Sequence, residues 1–241
     1  MNEQFLIAEH IHKDWDNVKV DFSFAAEKGS FTSIVGPSGS GKSTVLRTIA
    51  GLIPPAAQTR IVLDGADITT LAPGKRGCGL MFQNGSLFLH MTVADNVGYG
   101  LRCQGLSRRA ARREAEAFLV RFKLEGFGNR WPETLSGGEA QRVALARTLI
   151  VHPKLVLFDE PFSALDAPLR KTLAQDILAM QKEFAFTAVM VTHDIAEAKY
   201  MSSRIILMQQ GKKIWDGAAA EFNEQLIREA EGASTAPQPC S

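Results

Sequence analysis

The sequence predicts an α/β protein built around a parallel sheet, and three features of the chain support this. An apolar run at residues 31–35 leads into a glycine-rich loop and then into a helix-forming stretch at residues 44–50. Two further apolar runs, residues 155–158 and 187–191, each end in polar or acidic residues. Continuous apolar runs are typical of strands buried on both faces of a sheet, and the carboxyl ends of such strands meet at one crevice. We therefore expect the chemistry at the ends of these strands.

The overall composition narrows the classes of partner. The chain has 241 residues, of which 45% are hydrophobic and 22% charged, so it can bury a sizeable core. A net charge of +1 gives no general attraction for nucleic acid or an anionic membrane. The three cysteines follow no metal-binding spacing and suggest a reducing compartment. The sequence contains no signal peptide core and no apolar stretch of the ~20 residues that span a bilayer, which predicts a cytosolic chain unless a partner recruits it.

The glycine-rich loop matches the Walker A pattern, or P-loop, with the sequence Gly36-Pro37-Ser38-Gly39-Ser40-Gly41-Lys42-Ser43-Thr44. Its glycines let backbone N–H groups turn toward a polyphosphate, and the following helix directs its positive dipole end at the same anion. Lys42 would reach the β- and γ-phosphates, and the hydroxyl of Ser43 would bind Mg²⁺, which prefers oxygen ligands. The loop itself is therefore predicted to be an anion site.

Sequence spacing alone leaves the roles of Trp15 and Gln83 open. Trp15 lies between two strand-like runs, residues 5–11 and 18–24, which predict a small sheet. Its ring could stack on an adenine face, although a partly buried hairpin aromatic is the simpler interpretation. Gln83 ends a short apolar run, where its amide could bond a metal-bound water or only satisfy loop backbone.

A second glycine motif, Leu135-Ser136-Gly137-Gly138-Glu139, precedes a strongly helix-forming stretch. Ser136 and Glu139 have the spacing of a capping box, which by itself predicts only a well-capped helix start. The capping box does not account for Gly137 and Gly138, because glycine is unfavourable in a first helical turn unless a group must approach the backbone closely. The motif is suited to hold a second phosphate group.

Two strand ends carry the remaining candidates. Asp159 and Glu160 end an apolar run, and beside a P-loop the natural partner of a buried carboxylate is the Mg²⁺ that accompanies ATP. Asp159 takes the metal role, while alternation along the strand predicts that Glu160 faces an attacking water and accepts its proton. His193 follows the run at residues 187–191 and could donate a hydrogen bond to the γ-phosphate. A structural role would be the simpler interpretation of either strand end taken alone.

Six motifs in this order resemble those of the nucleotide-binding subunit of an ABC transporter, over nearly everything from residue 5 to residue 217. They are Walker A (residues 36–44), the Q-loop (Gln83), the signature (residues 135–139), Walker B with its catalytic glutamate (residues 155–160), the D-loop (residues 163–166) and the switch histidine (His193). Glu139 stands where the family more often has glutamine. Trp15 lies near the aromatic A-loop position, which favours adenine stacking.

The resemblance implies a P-loop NTPase fold with a RecA-like core, an antiparallel β lobe and an α-helical signature lobe. The ATP-binding domain is expected at residues 1–222, with a helical subdomain at about residues 84–150 and a C-terminal tail at residues 223–241 in place of a regulatory β-domain. ATP and Mg²⁺ are the implied cofactors. The residues implied to be catalytic are Lys42, Gln83, Glu160 and His193, and those implied to hold the metal are Ser43, Gln83 and Asp159.

The resemblance also implies partners. In a head-to-tail homodimer, the P-loop of one subunit and Ser136, Gly137 and Gly138 of the other would enclose each ATP, with Asp166 also at the nucleotide. Transmembrane permease subunits would dock near Gln83 at the cytoplasmic face of the inner membrane, served indirectly by an extracytoplasmic solute-binding protein and not by nucleic acid. Residues 87–97 resemble the corresponding stretch of importer ATPases. The short form expected for this chain, without a regulatory β-domain, resembles that of thiamine-type ATPases, with ferric-iron importers next. A non-transport ABC ATPase and an exporter subunit are the alternatives.

Overall fold

The computed structural model describes residues 4–15, 18–82 and 86–223, which form ten strands and seven α-helices. The strands are β1 (Gln4–Trp15), β2 (Val18–Glu27), β3 (Phe31–Val35), β4 (Arg60–Leu63), β5 (Ala66–Asp67), β6 (Cys78–Met81), β7 (Leu155–Asp159), β8 (Thr187–Thr192), β9 (Arg204–Gln209) and β10 (Lys212–Ala218). The helices are α1 (Lys42–Ala50), α2 (Val93–Val97), α3 (Tyr99–Cys103), α4 (Arg108–Leu119), α5 (Gly137–Leu149), α6 (Ala167–Phe184) and α7 (Ile195–Met201). The predicted mixture of strands and helices is confirmed.

The chain divides into two compact units. The first contains the described residues up to Arg76 and from Val189 onward, and the second runs from Gly77 to Ala188. Strand β8 therefore begins in the second unit and ends in the first. Among the described residues of both units, no helix has the length and apolar character needed to cross a bilayer.

The first unit contains the predicted antiparallel β lobe, a sheet with the strand order β2-β1-β4-β5. Ala8 of β1 lies opposite Phe24 of β2 and Ile61 of β4, and all three side chains are buried. The alternation of buried and exposed residues along β2 is the period-two pattern of a sheet with one face on a core. Strand β1 is longer than the sequence predicts, so Trp15 is its last residue rather than part of a connection.

A second sheet of the first unit carries β10, β9, β3 and β8 side by side in that order. Strands β3 and β9 pair in parallel, with Ser33 opposite Ile205, and every residue of β3 is buried. Val35, at the end of β3, packs in an apolar cluster with Leu207 and Phe222. This burial fixes the point at which the glycine-rich loop leaves the sheet.

The helix after that loop, α1, is held at its far end by a buried arginine. The guanidinium of Arg76 donates hydrogen bonds to the carbonyls of Thr48 and Ile49 in the last turn of α1, at 2.8 and 2.9 Å. It also donates to the carbonyls of Leu71 at 2.8 Å and Thr69 at 2.6 Å. A cation at this end complements the negative end of the helix dipole and satisfies carbonyls that lack a helical partner.

The second unit combines a parallel strand pair with helices α2 to α6. Strands β6 and β7 pair with Met81 opposite Phe158. Helix α2 begins at the N-cap Thr92, and its buried Asp95 accepts hydrogen bonds from Arg108 of α4 at 2.9 and 3.3 Å. These links tie α2 to α4 within the region where the sequence predicts the helical subdomain, residues 84–150.

Candidate nucleotide site

The glycine-rich loop joins β3 to α1 in the first unit. Helix α1 begins at Lys42, two residues earlier than the pattern predicts, because the N-cap Gly41 has a left-handed backbone with φ of 100°. Gly39 is also left-handed, with φ of 80°. Glycine adopts this conformation without steric penalty, so the loop can turn its N–H groups inward.

Two of the three glycines are also required by packing within the first unit. A Cβ on Gly36 would lie 2.0 Å from the backbone oxygen of Met208 in β9, and a Cβ on Gly41 would lie 2.5 Å from a methyl group of Val20 in β2. A Cβ on Gly39 would meet nothing within 4 Å. Gly36 and Gly41 therefore let the loop lie close against the two sheets, while Gly39 faces open space.

The loop fits a polyphosphate. Lys42 is 4% exposed, and its Nζ donates hydrogen bonds to the carbonyls of Gly36 and Pro37, each at 2.9 Å, so the ammonium lies inside the loop. Within the described residues, the N–H groups of Gly39 and Gly41 and the buried hydroxyl of Ser40 have no hydrogen-bond partner. Unsatisfied donors beside a cation at a helix N-terminus are what an anion binds. Ser38 is exposed, and Ser43 and Thr44 are half-buried.

Trp15 lies against the first turn of α1. Its indole Nε1 donates a hydrogen bond to the hydroxyl oxygen of Thr44 at 3.2 Å. The residue is 47% exposed. The ammonium of Lys13 lies 5.2 Å from the centre of the ring. The structure thus brings Trp15 beside the loop, and adenine stacking on its exposed surface stays a prediction.

His193 follows β8, the neighbour of β3 in the same sheet. Its side chain is exposed, and the turn that carries it is fixed by flanking residues. The N–H of Asp194 donates to the Thr192 hydroxyl at 3.0 Å, and that hydroxyl donates to the Glu197 carboxylate at 2.8 Å. The structure therefore places His193 in the same unit as the glycine-rich loop, on a rigid turn.

The signature motif begins α5 in the second unit. Ser136 is the N-cap, its Oγ accepts from the Glu139 N–H at 3.4 Å, and the Glu139 carboxylate accepts from the Ser136 N–H at 2.7 Å. That backbone hydrogen bond from Ser136 holds the pKa of Glu139 below its usual range. The predicted capping box is confirmed.

The two signature glycines differ in what surrounds them. A Cβ on Gly137 would have its nearest contact at 3.9 Å, a methyl group of Leu165, which is ordinary packing. A Cβ on Gly138 would lie 2.4 and 2.9 Å from the two methyl groups of Leu169. The sequence predicts that both glycines let a ligand approach, whereas the group that approaches Gly138 is a leucine of the same chain. Of these two glycines, only Gly137 has open space at the Cβ position within the described residues.

The acidic residues after β7 depart from the simple strand geometry. Asp159 is the last residue of β7 and is 4% exposed, as predicted for a buried carboxylate. Glu160 lies beyond the strand with φ of 48°, a left-handed backbone. The alternation argument for its direction is therefore wrong, because the side chain is aimed by a turn and not by a strand. Asp166 caps α6, where its carboxylate accepts from the Leu169 N–H at 3.0 Å.

The predicted metal ligands lie in separate parts of the chain. Gln83 lies outside the described residues, Ser43 belongs to the first unit and Asp159 to the second. The set Ser43, Gln83 and Asp159 stays a prediction.

Sequence reasoning missed two contacts near the site, those of Lys13 with Trp15 and of Leu169 with Gly138. Lys13 is two residues before Trp15 in a strand, so both side chains leave the same face, and this spacing was an available signal. The approach of Leu169 to Gly138 depends on how α5 and α6 pack, which no local pattern indicates.

Solved structures with the same fold are nucleotide-binding cassettes. A dimeric ATP-binding cassette in a post-hydrolysis state, bound to ADP and Pi, is 30% identical with a TM-score of 0.77, over 90% of this chain and all of that one. The structure of cbiO1 from Clostridium perfringens, part of the ABC transporter complex cbiONQ, is 26% identical with a TM-score of 0.80, over 97% of this chain and 96% of that one. The P-loop NTPase fold is therefore confirmed.

Residues 20–163 match the family model described as ABC transporter, and the chain belongs to this family. The Fe(3+) ions import ATP-binding protein FbpC of Rhizobium etli is 46% identical over 204 residues, 85% of this chain and 58% of that protein. The spermidine/putrescine import ATP-binding protein PotA of Protochlamydia amoebophila is 42% identical over 221 residues, 91% of this chain and 59% of that protein. The chain thus spans about three fifths of the length of these relatives.

Proposed function

We propose that this chain is the ATP-hydrolysing subunit of an ABC importer that moves a small solute through separate transmembrane subunits. The observation that carries the proposal is the glycine-rich loop, in which the ammonium of Lys42 is buried and the N–H groups of Gly39 and Gly41 have no hydrogen-bond partner among the described residues, an arrangement suited to a polyphosphate. The import ATP-binding proteins among its relatives support the direction of transport.

Nucleotide binding is proposed to rest on the first unit. Lys42 and the loop N–H groups hold the phosphates, and the exposed ring of Trp15 stacks on adenine. Ser43, Gln83 and Asp159 are proposed to hold Mg²⁺, whose donor set of hydroxyl, amide and carboxylate oxygens is what this ion prefers. The ion, when bound, neutralises charge that develops on the phosphates.

Hydrolysis is proposed to use residues at two strand ends. Glu160 accepts a proton from the attacking water, His193 donates a hydrogen bond toward the terminal phosphate, and Gln83 orients the water. A phosphate-release assay on the full chain with Mg-ATP tests this step. Turnover that survives in Glu160→Gln at the parental rate would contradict the assignment of the base.

A head-to-tail homodimer is proposed because one chain carries two helix N-termini suited to phosphate, at the glycine-rich loop and at Ser136. The dimeric cassette bound to ADP and Pi supports this arrangement. In it, Ser136, Gly137 and Gly138 of one subunit face the P-loop of the other, with Asp166 near the nucleotide.

Mixed dimers test the arrangement. Lys42→Ala in one subunit and Ser136→Arg in the other leave one undamaged site if the signature acts on the partner's nucleotide, so such dimers should retain hydrolysis. Both sites would be damaged if each formed within a single subunit, and the mixed dimer would then be as inactive as either single variant.

The transported solute is proposed to be ferric iron, thiamine or a similar small solute, and the ferric-iron relatives favour the first. The chain would work at the cytoplasmic face of the inner membrane, bound to permease subunits and served by an extracytoplasmic binding protein. Tagged full chain purified from detergent-solubilised membranes should carry stoichiometric membrane proteins. Their absence would favour a non-transport ABC ATPase, and stimulation of ATPase activity by a substrate on the cytoplasmic side would favour an exporter.

A further inference from the structure

A tight turn follows Glu160 and is closed by Ser163. The N–H of Ser163 donates to the Glu160 carbonyl at 3.4 Å, and the Ser163 hydroxyl donates to the same carbonyl at 3.1 Å. Pro161 and Phe162, the two central residues, are both buried, and Phe162 has no exposed surface. The turn is therefore anchored at its centre by packing and at its ends by two hydrogen bonds to one oxygen.

The backbone of Glu160 needs such support. Its φ of 48° lies in the left-handed region, where the Cβ of an L-residue is crowded by its own backbone. A residue keeps this conformation only where surrounding contacts over-determine it. Relaxation to an extended backbone would swing the Glu160 side chain to a different side of the chain, because φ sets the direction of Cβ relative to the preceding strand.

We propose that Ser163 is a positioning residue for Glu160, holding the left-handed backbone that aims its carboxylate. The inference rests on the proposed function, in which Glu160 accepts the proton of the attacking water. It assigns the side chain of Ser163 a role through the Glu160 carbonyl and no contact with substrate. Ser163 is exposed, so removal of its hydroxyl opens no cavity in the core.

The variants Ser163→Ala and Ser163→Thr test the role of the hydroxyl. The alanine variant should lower the turnover number for ATP about 10-fold, because small misplacements of a catalytic group have effects of this size. The affinity for ATP should stay within about 2-fold of the parent, since a general base contributes to the transition state and not to ground-state binding. The threonine variant keeps a hydroxyl and should recover most of the turnover.

Ser30 provides a matched control in the first unit. Its N–H and hydroxyl donate to the Glu27 carbonyl at 3.2 and 2.7 Å, the same pair of bonds across the same spacing. Ser30→Ala should therefore lose the same kind of turn contact without a change in turnover. Thermal denaturation of Ser30→Ala and Ser163→Ala should give similar small shifts.

The outcomes separate the positioning role from the proposed function. If Glu160→Gln abolishes hydrolysis while Ser163→Ala keeps the parental turnover, the positioning role is overturned and the assignment of Glu160 stands. If Glu160→Gln hydrolyses ATP normally, the proposed base is wrong and the inference falls with it. Loss of ATP affinity in Ser163→Ala, a melting shift much larger than that of Ser30→Ala, or failure of threonine to restore turnover would each overturn the inference.

Discussion

The indole Nε1 of Trp15 donates a hydrogen bond to the hydroxyl of Thr44, across 3.2 Å and 29 positions of sequence. This contact fixes the ring of a strand-end tryptophan relative to the first turn of the helix that follows the P-loop. A ring held in one orientation loses less freedom when a planar group stacks on it. We therefore predict that Thr44 supports adenine stacking on Trp15 through this contact, a role that its place in the Walker A pattern does not suggest.

Trp15→Ala should lower ATP affinity by roughly 10-fold, since stacking of a base on an aromatic ring is worth about 1–3 kcal/mol. Thr44→Val, which removes only the acceptor, should give a smaller loss in the same direction. Calorimetric titration with a non-hydrolysable ATP analogue measures both. Trp131, 49% exposed in the second unit, is the matched control, and an equal loss in Trp131→Ala would refute a specific role for Trp15.

Lys42→Ala should weaken ATP binding by about 10- to 100-fold, because hydrogen bonds to a charged group are worth about 1.5–3 kcal/mol. The buried ammonium now bridges the carbonyls of Gly36 and Pro37, so its loss also loosens the loop. Lys75→Ala, at an exposed position, should leave affinity unchanged. Unaltered affinity in Lys42→Ala would contradict the assignment of the phosphate site.

The signature glycines should respond differently to alanine. Gly137→Ala should stabilise the fold slightly, because alanine is a better helix former by up to about 1 kcal/mol and meets no close atom. Gly138→Ala should lose that gain, since its Cβ would lie 2.4 Å from Leu169 and overpacking costs about 1–3 kcal/mol. Thermal denaturation should place Gly138→Ala below Gly137→Ala, and truncation of the leucine by Leu169→Ala should narrow the gap.

ATP-dependent dimerisation should test whether Gly137 also faces a ligand. If Gly137 faces the partner's nucleotide, Gly137→Ala should reduce ATP-dependent dimerisation in size-exclusion chromatography although its fold is intact. Undiminished dimerisation of Gly137→Ala would contradict the proposal that Gly137 faces the partner's nucleotide.

Asp95→Asn should destabilise the chain by about 1–3 kcal/mol at neutral pH, toward the lower end because its partner Arg108 is 69% exposed. The hydrogen bond from Arg108 holds the pKa of Asp95 below its ordinary value of 3.8. A lowered folded-state pKa gives stability that is complete above pH 3.8 and is lost as pH falls through the lower folded value. The difference between parent and variant in urea unfolding should therefore shrink below about pH 4.

Glu114→Gln is the control for that measurement. Its side chain is 54% exposed and its carboxylate lies 3.6 Å from Arg113, so Glu114→Gln should change stability by less than about 0.5 kcal/mol. A pH-independent gap between the parent and Asp95→Asn would show that packing, and not charge, explains the effect.

Much of the fold is predictable because buried segments have recognisable patterns of residues in the local sequence. The apolar runs that form β3 and β7 are buried at every position, so their continuous pattern predicted parallel strands. The capping box at Ser136 was likewise visible, because its two hydrogen bonds join residues three apart. Each of these features depends on neighbours along the chain.

The features that the sequence did not predict depend on packing between distant residues or on backbone dihedral angles. The direction of Glu160 follows from a left-handed φ that strand alternation cannot reveal, because alternation assumes an extended backbone. The close approach of Leu169, a residue of another helix, to Gly138 is also invisible in the signature pattern. The early start of α1 at Lys42 follows from the left-handed Gly41 in the same way.

Arg76 limits how α1 can move. Its planar guanidinium presents donors in a fixed arrangement, and four of its hydrogen bonds join the last turn of α1 to the carbonyls of Thr69 and Leu71. Helix α1 cannot slide along its axis without breaking these bonds together. We therefore expect that a displacement of α1 at Lys42, 34 positions before Arg76, also displaces the segment around Thr69. The far end of α1 is thus where we expect phosphate binding at the proposed site to have a mechanical effect.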